Sequence, residues 1–305
     1  MLASLPAGAA RRVVYLGTPQ AAVPPLRALV AAGVDVALVI TRVDKRRGRG
    51  SATSPSLVKQ AALELGLRVS HDLDDATTVG ADLGVVVAYG RIIPVAVLAR
   101  LAMINVHFSL LPRWRGAAPV ERALLAGDRE TGVCIMRVEE GLDTGEVFER
   151  VVVSIGEHHT LTTLRDELVD ASLAPLVRVV TEGCGRGVPQ TGEVVHAPKI
   201  APLDLEIRFA MTAAEIVART RLETAWFAHS AKRVRVVRAR VASPTGAASE
   251  LGRVLRVDHD GVLVACGDGA VLLVEVQPEG RSAMSATAWA NGARFAQSPW
   301  PVSLA

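Results

Sequence analysis

The sequence predicts a doubly wound α/β domain followed by a small antiparallel β-barrel domain. Three observations carry this. The first two-thirds alternates short β-branched runs with helical segments of about ten residues, the signature of parallel βαβ units. The last third changes to short period-2 segments divided by turn signals such as Asp260-Gly261 and Gly267-Asp268-Gly269, as in small antiparallel barrels. The 305 residues, 50% apolar and 21% charged, are enough for two folded domains and exclude a disordered chain.

The elements follow in order. Arg12–Leu16 (RVVYL) is a β-branched strand ending at Gly17-Thr18-Pro19. Ala21–Ala32 reads as a helix with Pro24 and Pro25 in its first turn, where proline is tolerated. Val34–Thr41 is the next strand, and a Gly/Arg-rich loop without apolar period follows it. Ser54–Leu65 is helical, with Ser54 as N-cap and Pro55 at the first helical position. Leu83–Ala88 is apolar throughout, as a strand covered on both faces must be. Pro94–Leu101 is a short helix and Met103–Leu110 a further strand. The stretch Gly192–Pro202 lacks a pattern and reads as a link. After the helix Ala213–Arg221, the strands are Arg233–Val241, Gly252–Val257, Gly261–Ala265 and Ala270–Val276. Residues 1–190 are thus expected to form the first domain, 191–204 a linker and 205–305 the second domain.

Charge sharpens the picture. Residues 1–204 hold 22 Lys+Arg and 22 Asp+Glu, so the net +3 falls within 205–305, with 12 Lys+Arg against 9 Asp+Glu. Two basic clusters stand out: Arg42, Lys45, Arg46, Arg47 and Arg49 in the loop, and Lys232, Arg233, Arg235, Arg238 and Arg240 along one strand. The strand cluster alternates with valines, giving one charged face. Such clusters suit phosphate contacts. The three cysteines, Cys134, Cys184 and Cys266, are far apart and form no CxxC, so disulfides and a cysteine zinc site are not expected. The N-terminal MLASLPAGAA lacks the basic start of a signal peptide, and no long uncharged apolar run spans a membrane. A cytoplasmic location is expected.

The chemistry concentrates in Ile104–Pro119, INVHFSLLPRWRGAAP. Strand alternation puts Asn105, His107 and Ser109 on one face and Val106 and Phe108 on the other. An amide and an imidazole at the C-terminal end of a buried strand stand where open α/β sheets bind ligands. Downstream, the turn Glu139–Gly145 (EEGLDTG) holds Asp143, a carboxylate that could reach the ring and fix its tautomer. An Asn-x-His pair and a Gly-flanked Asp are individually common in structural roles. His158 and His159 read as surface loop, and His196 as part of the link. There is no GxGxxG, GKS/T, HExxH or GxSxG, which removes the familiar dinucleotide, P-loop, zinc-protease and esterase signatures.

The motifs together carry a resemblance. RVVYLGTPQAA (Arg12–Ala22), the Gly48–Lys59 stretch with SPSLVK, VVVAYGRIIP (Val85–Pro94), INVHFSLLPRWRGAAPVERALLAGD (Ile104–Asp128), TGVCIMRVEEGLDTG (Thr131–Gly145) and VACGDGAVLLVEVQPEGRSAM (Val264–Met284) resemble the methionyl-tRNA formyltransferase family over essentially the full length. The resemblance implies a Rossmann-like formyltransferase domain and a C-terminal OB-like β-barrel domain that binds tRNA. It implies 10-formyltetrahydrofolate as co-substrate with no metal, methionyl initiator tRNA as acceptor, and a monomer. Asn105, His107 and Asp143 match the catalytic trio. Ser109, Leu110, Leu111 and Pro112 match the tetrahydrofolate-binding segment. The basic residues Arg42, Lys45, Arg46, Arg47, Arg49, Lys232, Arg233 and Arg235 would then meet the tRNA.

Three positions depart from the family pattern. Phe108 stands where many relatives carry a small residue; alternation turns its ring away from the site, to pack. RLETAWF (Arg221–Phe227) replaces a proline-rich Asn-Pro-Trp-Pro stretch. Lys45 replaces an arginine and lacks its bidentate fork. Two other readings share the trio: a formyltransferase acting on a sugar-nucleotide amine, and an RNA-binding protein on an inactive formyltransferase scaffold.

Overall fold

The computed structural model describes residues 1–46, 53–243 and 250–293, with the backbone alone described at 45, 46 and 53. Its chain divides into two compact units. One comprises Met1–Val120, Glu130–Ser154 and Thr163–Pro198; the other comprises Glu121–Arg129, Ile155–Thr162 and Lys199–Ala305.

The first unit is built on a seven-stranded sheet in the order Val147–Ser154, Glu130–Arg137, Met103–His107, Leu83–Val87, Arg12–Gly17, Asp35–Ile40, Val69–Ser70. The last five are mutually parallel; Glu130–Arg137 joins them antiparallel, and Val147–Ser154 pairs antiparallel with it. All five residues of Leu83–Val87 are buried, which explains its unbroken apolar run. From Arg12–Gly17 the chain builds outward in one direction, then returns to Leu83–Val87 on the other side. Ligands of open α/β sheets bind beyond the strand ends at such a reversal. Gly17 closes its strand there, because a Cβ would lie 2.8 Å from Ala22 Cβ and 3.1 Å from the Val87 carbonyl oxygen.

The structure shifts several predicted boundaries. Pro24 and Pro25 do open a helix, Val23–Ala31. The next helix is Leu57–Glu64, capped by Ser56, whose hydroxyl accepts from the Lys59 N–H at 3.0 Å. Ser54 is not the cap: it precedes a proline, which favours extended backbone, and it pairs with Lys45 in a short ladder. The Met103 strand stops at His107, so Ser109 does not share its face. Within 191–204, Val195–Ala197 forms a strand parallel to Arg113–Gly116; three and four residues are too few to show a period. The helix Leu161–Glu182 runs through Pro175.

The second unit centres on an antiparallel sheet ordered Trp226–His229, Lys232–Ala242, Gly269–Pro278, Gly261–Cys266, Val254–Asp258, with Met284–Ser285 joining Gly269–Pro278. Among the described residues it is an antiparallel sheet in which no pairing joins the two edge strands. Phe227 links two aromatic contacts in the core, with centroids 5.6 Å from Phe209 and 5.8 Å from Trp289. Residues Arg221–Phe227, which lack the family's prolines, are held by side chains. The Arg221 guanidinium donates to the carbonyls of His159 and Gly156, both at 2.7 Å. The Glu223 carboxylate accepts from the Thr162 N–H and hydroxyl. His159 is therefore no surface residue: it is buried, and its Nδ1 accepts the Gly156 N–H at 2.9 Å.

Candidate active site

Asn105 and His107 occupy alternate positions at the end of their strand, with Ile104 and Val106 buried on the opposite face. The strand lies between Leu83–Val87 and Glu130–Arg137, placing His107 opposite Cys134. Burial raises the Cys134 thiol's pKa, so this neighbour stays protonated and is no nucleophile. Asn105 remains half-exposed, while His107 is 5% exposed.

The chain then turns back on itself. Ser109 is fully buried and donates its hydroxyl to the Arg113 carbonyl at 2.6 Å. Leu111 enters an apolar cluster with Cys134, Met136 and Val147. Its carbonyl accepts from the Arg150 guanidinium at 2.7 Å. Pro112 is buried, and Leu110 is partly exposed. Three of the four residues expected at the folate thus shape the turn itself. Phe108 is buried, and it lies past the strand's end, where alternation no longer sets its face.

That turn delivers Arg113–Gly116 to His107. His107 Nε2 lies 2.9 Å from the Trp114 carbonyl oxygen. A carbonyl only accepts, so Nε2 carries a proton and donates it. Nδ1 faces Asp143, whose Oδ2 is 3.6 Å away. The backbone N–H of Gly116 donates to that same Oδ2 at 2.8 Å. The structure therefore brings His107 and Asp143 together, but the ring's tautomer is fixed by Trp114 and not by the carboxylate. Trp114 and Asp143 both adopt left-handed backbone, with φ of 66° and 52°, an arrangement that persists only where surroundings enforce it.

Two residues escaped sequence reasoning. Gln190 donates through Nε2 to the carbonyls of Asp143 and Gly145, both at 2.8 Å. Arg115 donates to Gln190 Oε1 from Nε at 3.0 Å and Nη2 at 2.6 Å. Gln190 lies in no periodic segment, so no local signal marks it; Arg115 falls inside the SLLPRWRGAAP motif.

The predicted basic residues divide between the two units. Arg42 is exposed, and a Cβ on Gly90 would lie 3.8 Å from its Nη1. Lys45 and Arg46 form a short strand paired with Thr53–Ser54. Arg47 and Arg49 lie outside the described residues. Lys232 and Arg233 are exposed, and the Arg233 guanidinium stacks over Trp226 at 4.3 Å from the ring centroid. Arg235 donates to Gln277 Oε1 at 3.1 Å.

Residues 11–180 match the family described as Formyl transferase, and residues 199–294 match Formyl transferase, C-terminal domain. A methionyl-tRNA formyltransferase from Jannaschia sp. is 42% identical over 302 residues, covering 93% of this chain and 98% of its own. One from Neisseria meningitidis serogroup C is 40% identical over 301 residues, covering 92% and 97%. The chain belongs to the methionyl-tRNA formyltransferase family. Solved structures repeat the fold at lower identity. An N-formyltransferase from Helicobacter canadensis, in complex with folinic acid and dTDP-3-aminofucose, aligns with a TM-score of 0.63 at 16% identity, covering 88% of this chain and 99% of that one. HypX from Aquifex aeolicus, in complex with tetrahydrofolic acid, aligns at 0.58 and 14%, covering 95% of this chain and 48% of that one. This formyltransferase chain thus spans about half of HypX. No helix among the described residues is long and apolar enough to cross a membrane.

Proposed function

We propose that this chain transfers the formyl group of 10-formyltetrahydrofolate to the α-amino group of methionine esterified to initiator tRNA, in the cytoplasm and as a monomer. The observation that carries the reading is His107, with Nε2–H committed to Trp114 and Nδ1 turned to Asp143, on one strand with Asn105. The residues present fit a folate donor. Exposed apolar side chains at Ile92 and Leu142, the latter next to Asp143, suit a planar ring beside a polar reacting centre.

The donor supplies the formyl carbon and N10 as the leaving nitrogen. Esterification keeps the methionyl amine's pKa low, so it is largely neutral near pH 7 and can add to that carbon. Asn105 offers its amide N–H to the negative charge growing on the formyl oxygen, and His107 joins it through Nδ1–H once Nδ1 has taken the proton of the attacking amine. One such donor is worth about 10²–10³ in rate. Asp143 holds the imidazolium and helps move the amine's proton toward N10, general acid–base help worth about 10²–10⁴. No metal or covalent enzyme intermediate is required. Leu110 lines the folate side, while Ser109, Leu111 and Pro112 support it from behind.

The tRNA is held by two basic regions: Arg42, Lys45, Arg46, Arg47 and Arg49 in the first unit, and Lys232, Arg233 and Arg235 on the second unit's OB-like sheet. Arg233, its guanidinium carbon over the Trp226 ring, favours nucleic acid, since aromatic rings and guanidinium planes stack on bases and the guanidinium also meets phosphates. A sugar-nucleotide acceptor would not need these surfaces. Acid-gel separation of methionyl- and formylmethionyl-tRNA after incubation with 10-formyltetrahydrofolate tests the reading. Conversion is expected; folded protein that converts none overturns it.

A further inference from the structure

We infer that Gln190 is the positioning residue that sets the Asp143 carboxylate, and that Arg115 acts through it; the inference deepens the formyl-transfer reading and rests on it. Both amide N–H groups of Gln190 are used, one on the Asp143 carbonyl and one on the Gly145 carbonyl, each at 2.8 Å. Its oxygen takes two N–H bonds from Arg115. The amide is saturated and cannot be turned over. Rotated by half a turn, its oxygen would face two carbonyls and its NH2 a guanidinium, leaving all four partners unsatisfied.

The clamp acts on the residue that needs it. Asp143 holds φ of 52°, a left-handed conformation that a non-glycine residue keeps only where its surroundings enforce it. Gln190 bonds the Asp143 carbonyl directly, while the Gly116 N–H holds the side chain through Oδ2, the oxygen nearest His107, at 2.8 Å. The carboxylate sits 3.6 Å from His107 Nδ1, too far for a direct hydrogen bond to hold it there. Its place is therefore set by the frame behind it.

That frame is one short strand and the segment beside it. Within Arg113–Gly116, the Trp114 carbonyl holds His107, Arg115 anchors Gln190, and the Gly116 N–H holds Asp143. The strand pairs with Val195–Ala197, which follows Gln190 in the chain. Val188, just before Gln190, exchanges two 2.9 Å backbone bonds with Val147 beyond the catalytic turn. The segment 188–197, patternless in sequence, thus forms the back wall of the site. Misplacing a reacting group by about 1 Å can cost 10²-fold in rate.

The test uses the full chain, with Gln190→Met, Arg115→Met and the double variant, each checked for folding by thermal unfolding. With methionyl initiator tRNA and 10-formyltetrahydrofolate varied in turn, Gln190→Met is expected to lower kcat by about 10–100-fold and leave both KM values within threefold. Arg115→Met should lower kcat less, and the double variant should match Gln190→Met within twofold, because a residue acting through another adds nothing once that one is gone. Amide hydrogen exchange at Gly116 reads the frame without turnover and should accelerate at least tenfold in Gln190→Met. A folded Gln190→Met with kcat within twofold of wild type, a loss confined to KM, additive effects of the two changes, or unchanged exchange at Gly116 overturns the inference. If Gln190→Met does not fold, Gln190→Asn, which keeps the amide on a shorter arm, is held to the same four outcomes. A wild-type chain that forms no product overturns the formyl-transfer reading instead, and the exchange measurement still decides the frame.

Discussion

The backbone carbonyl of Trp114 lies 2.9 Å from Nε2 of His107, and this contact decides which ring nitrogen is left to face Asp143. With Nε2–H bound to a pure acceptor, Nδ1 is the atom that can gain or surrender a proton beside Asp143.

His107→Ala removes a donor and its proton together, so kcat should fall by about 10²–10⁴, with tRNA affinity within threefold. Asp143→Asn, with its oxygen kept at the position that meets both the Gly116 N–H and Nδ1, lacks the charge that holds a protonated ring, and kcat should again fall by at least about 10². Initial rates at saturating substrates, with filter binding of methionyl-tRNA, separate chemistry from binding. Equal losses in rate and affinity would contradict the assignment.

The basic strand of the second unit is tested through salt. If Arg233 and Arg235 each neutralise a phosphate, replacing both by Ala should flatten the slope of log affinity against log salt by about 1–2. Titrations between about 50 and 200 mM salt measure it. A slope unchanged from wild type would remove these residues from the tRNA surface.

The architecture was legible where burial imposes a period. Leu83–Val87, covered on both faces, reads as one apolar run, and the valines at 234 and 236 alternate with Arg233 and Arg235. Asn105 and His107 were legible because alternation in a strand fixes which side chains share a face. Ser109 was misplaced because nothing in the sequence marks His107 as the strand's last residue. Trp114, Gly116 and Gln190 act through main-chain groups or on them. A carbonyl or an N–H is the same at every residue, so composition and periodicity do not reveal which one meets His107 or Asp143. Barrel closure is illegible for a related reason: turn spacing gives the number of antiparallel strands but not whether the outer two meet.

Gly116 carries two duties that need glycine. Its φ is 126°, and a Cβ would lie 2.8 Å from the Ala197 carbonyl oxygen. Gly116→Ala should therefore push the Arg113–Gly116 strand off Val195–Ala197 and withdraw the N–H from Asp143. The expected cost is about 1–3 kcal/mol of stability, with kcat falling by at least tenfold. Urea unfolding and initial rates on the same preparation measure both. An alanine variant with wild-type stability and rate would show that the frame gives way freely at this point.

The second unit offers a pH test of a helix end. Thr212 caps Ala213–Thr220, and the Glu215 carboxylate reaches back to the Thr212 N–H at 2.8 Å and hydroxyl at 2.9 Å. Those bonds, the backbone one foremost, hold the Glu215 carboxyl below its ordinary value. A carboxyl with a depressed folded pKa binds its proton more readily in the unfolded chain. Its stabilisation is therefore complete above the ordinary glutamate pKa of about 4.3 and fades as pH falls through the lower folded value. Glu215→Gln should cost about 0.5–1 kcal/mol at pH 7, lowering Tm by about 2 °C. Wild type and variant should converge as the solution is acidified through the carboxylate range. Thermal unfolding of both across that range checks the sign; a gap that widens toward acid would mean that the charge on Glu215 opposes the helix and that Thr212 caps it unaided.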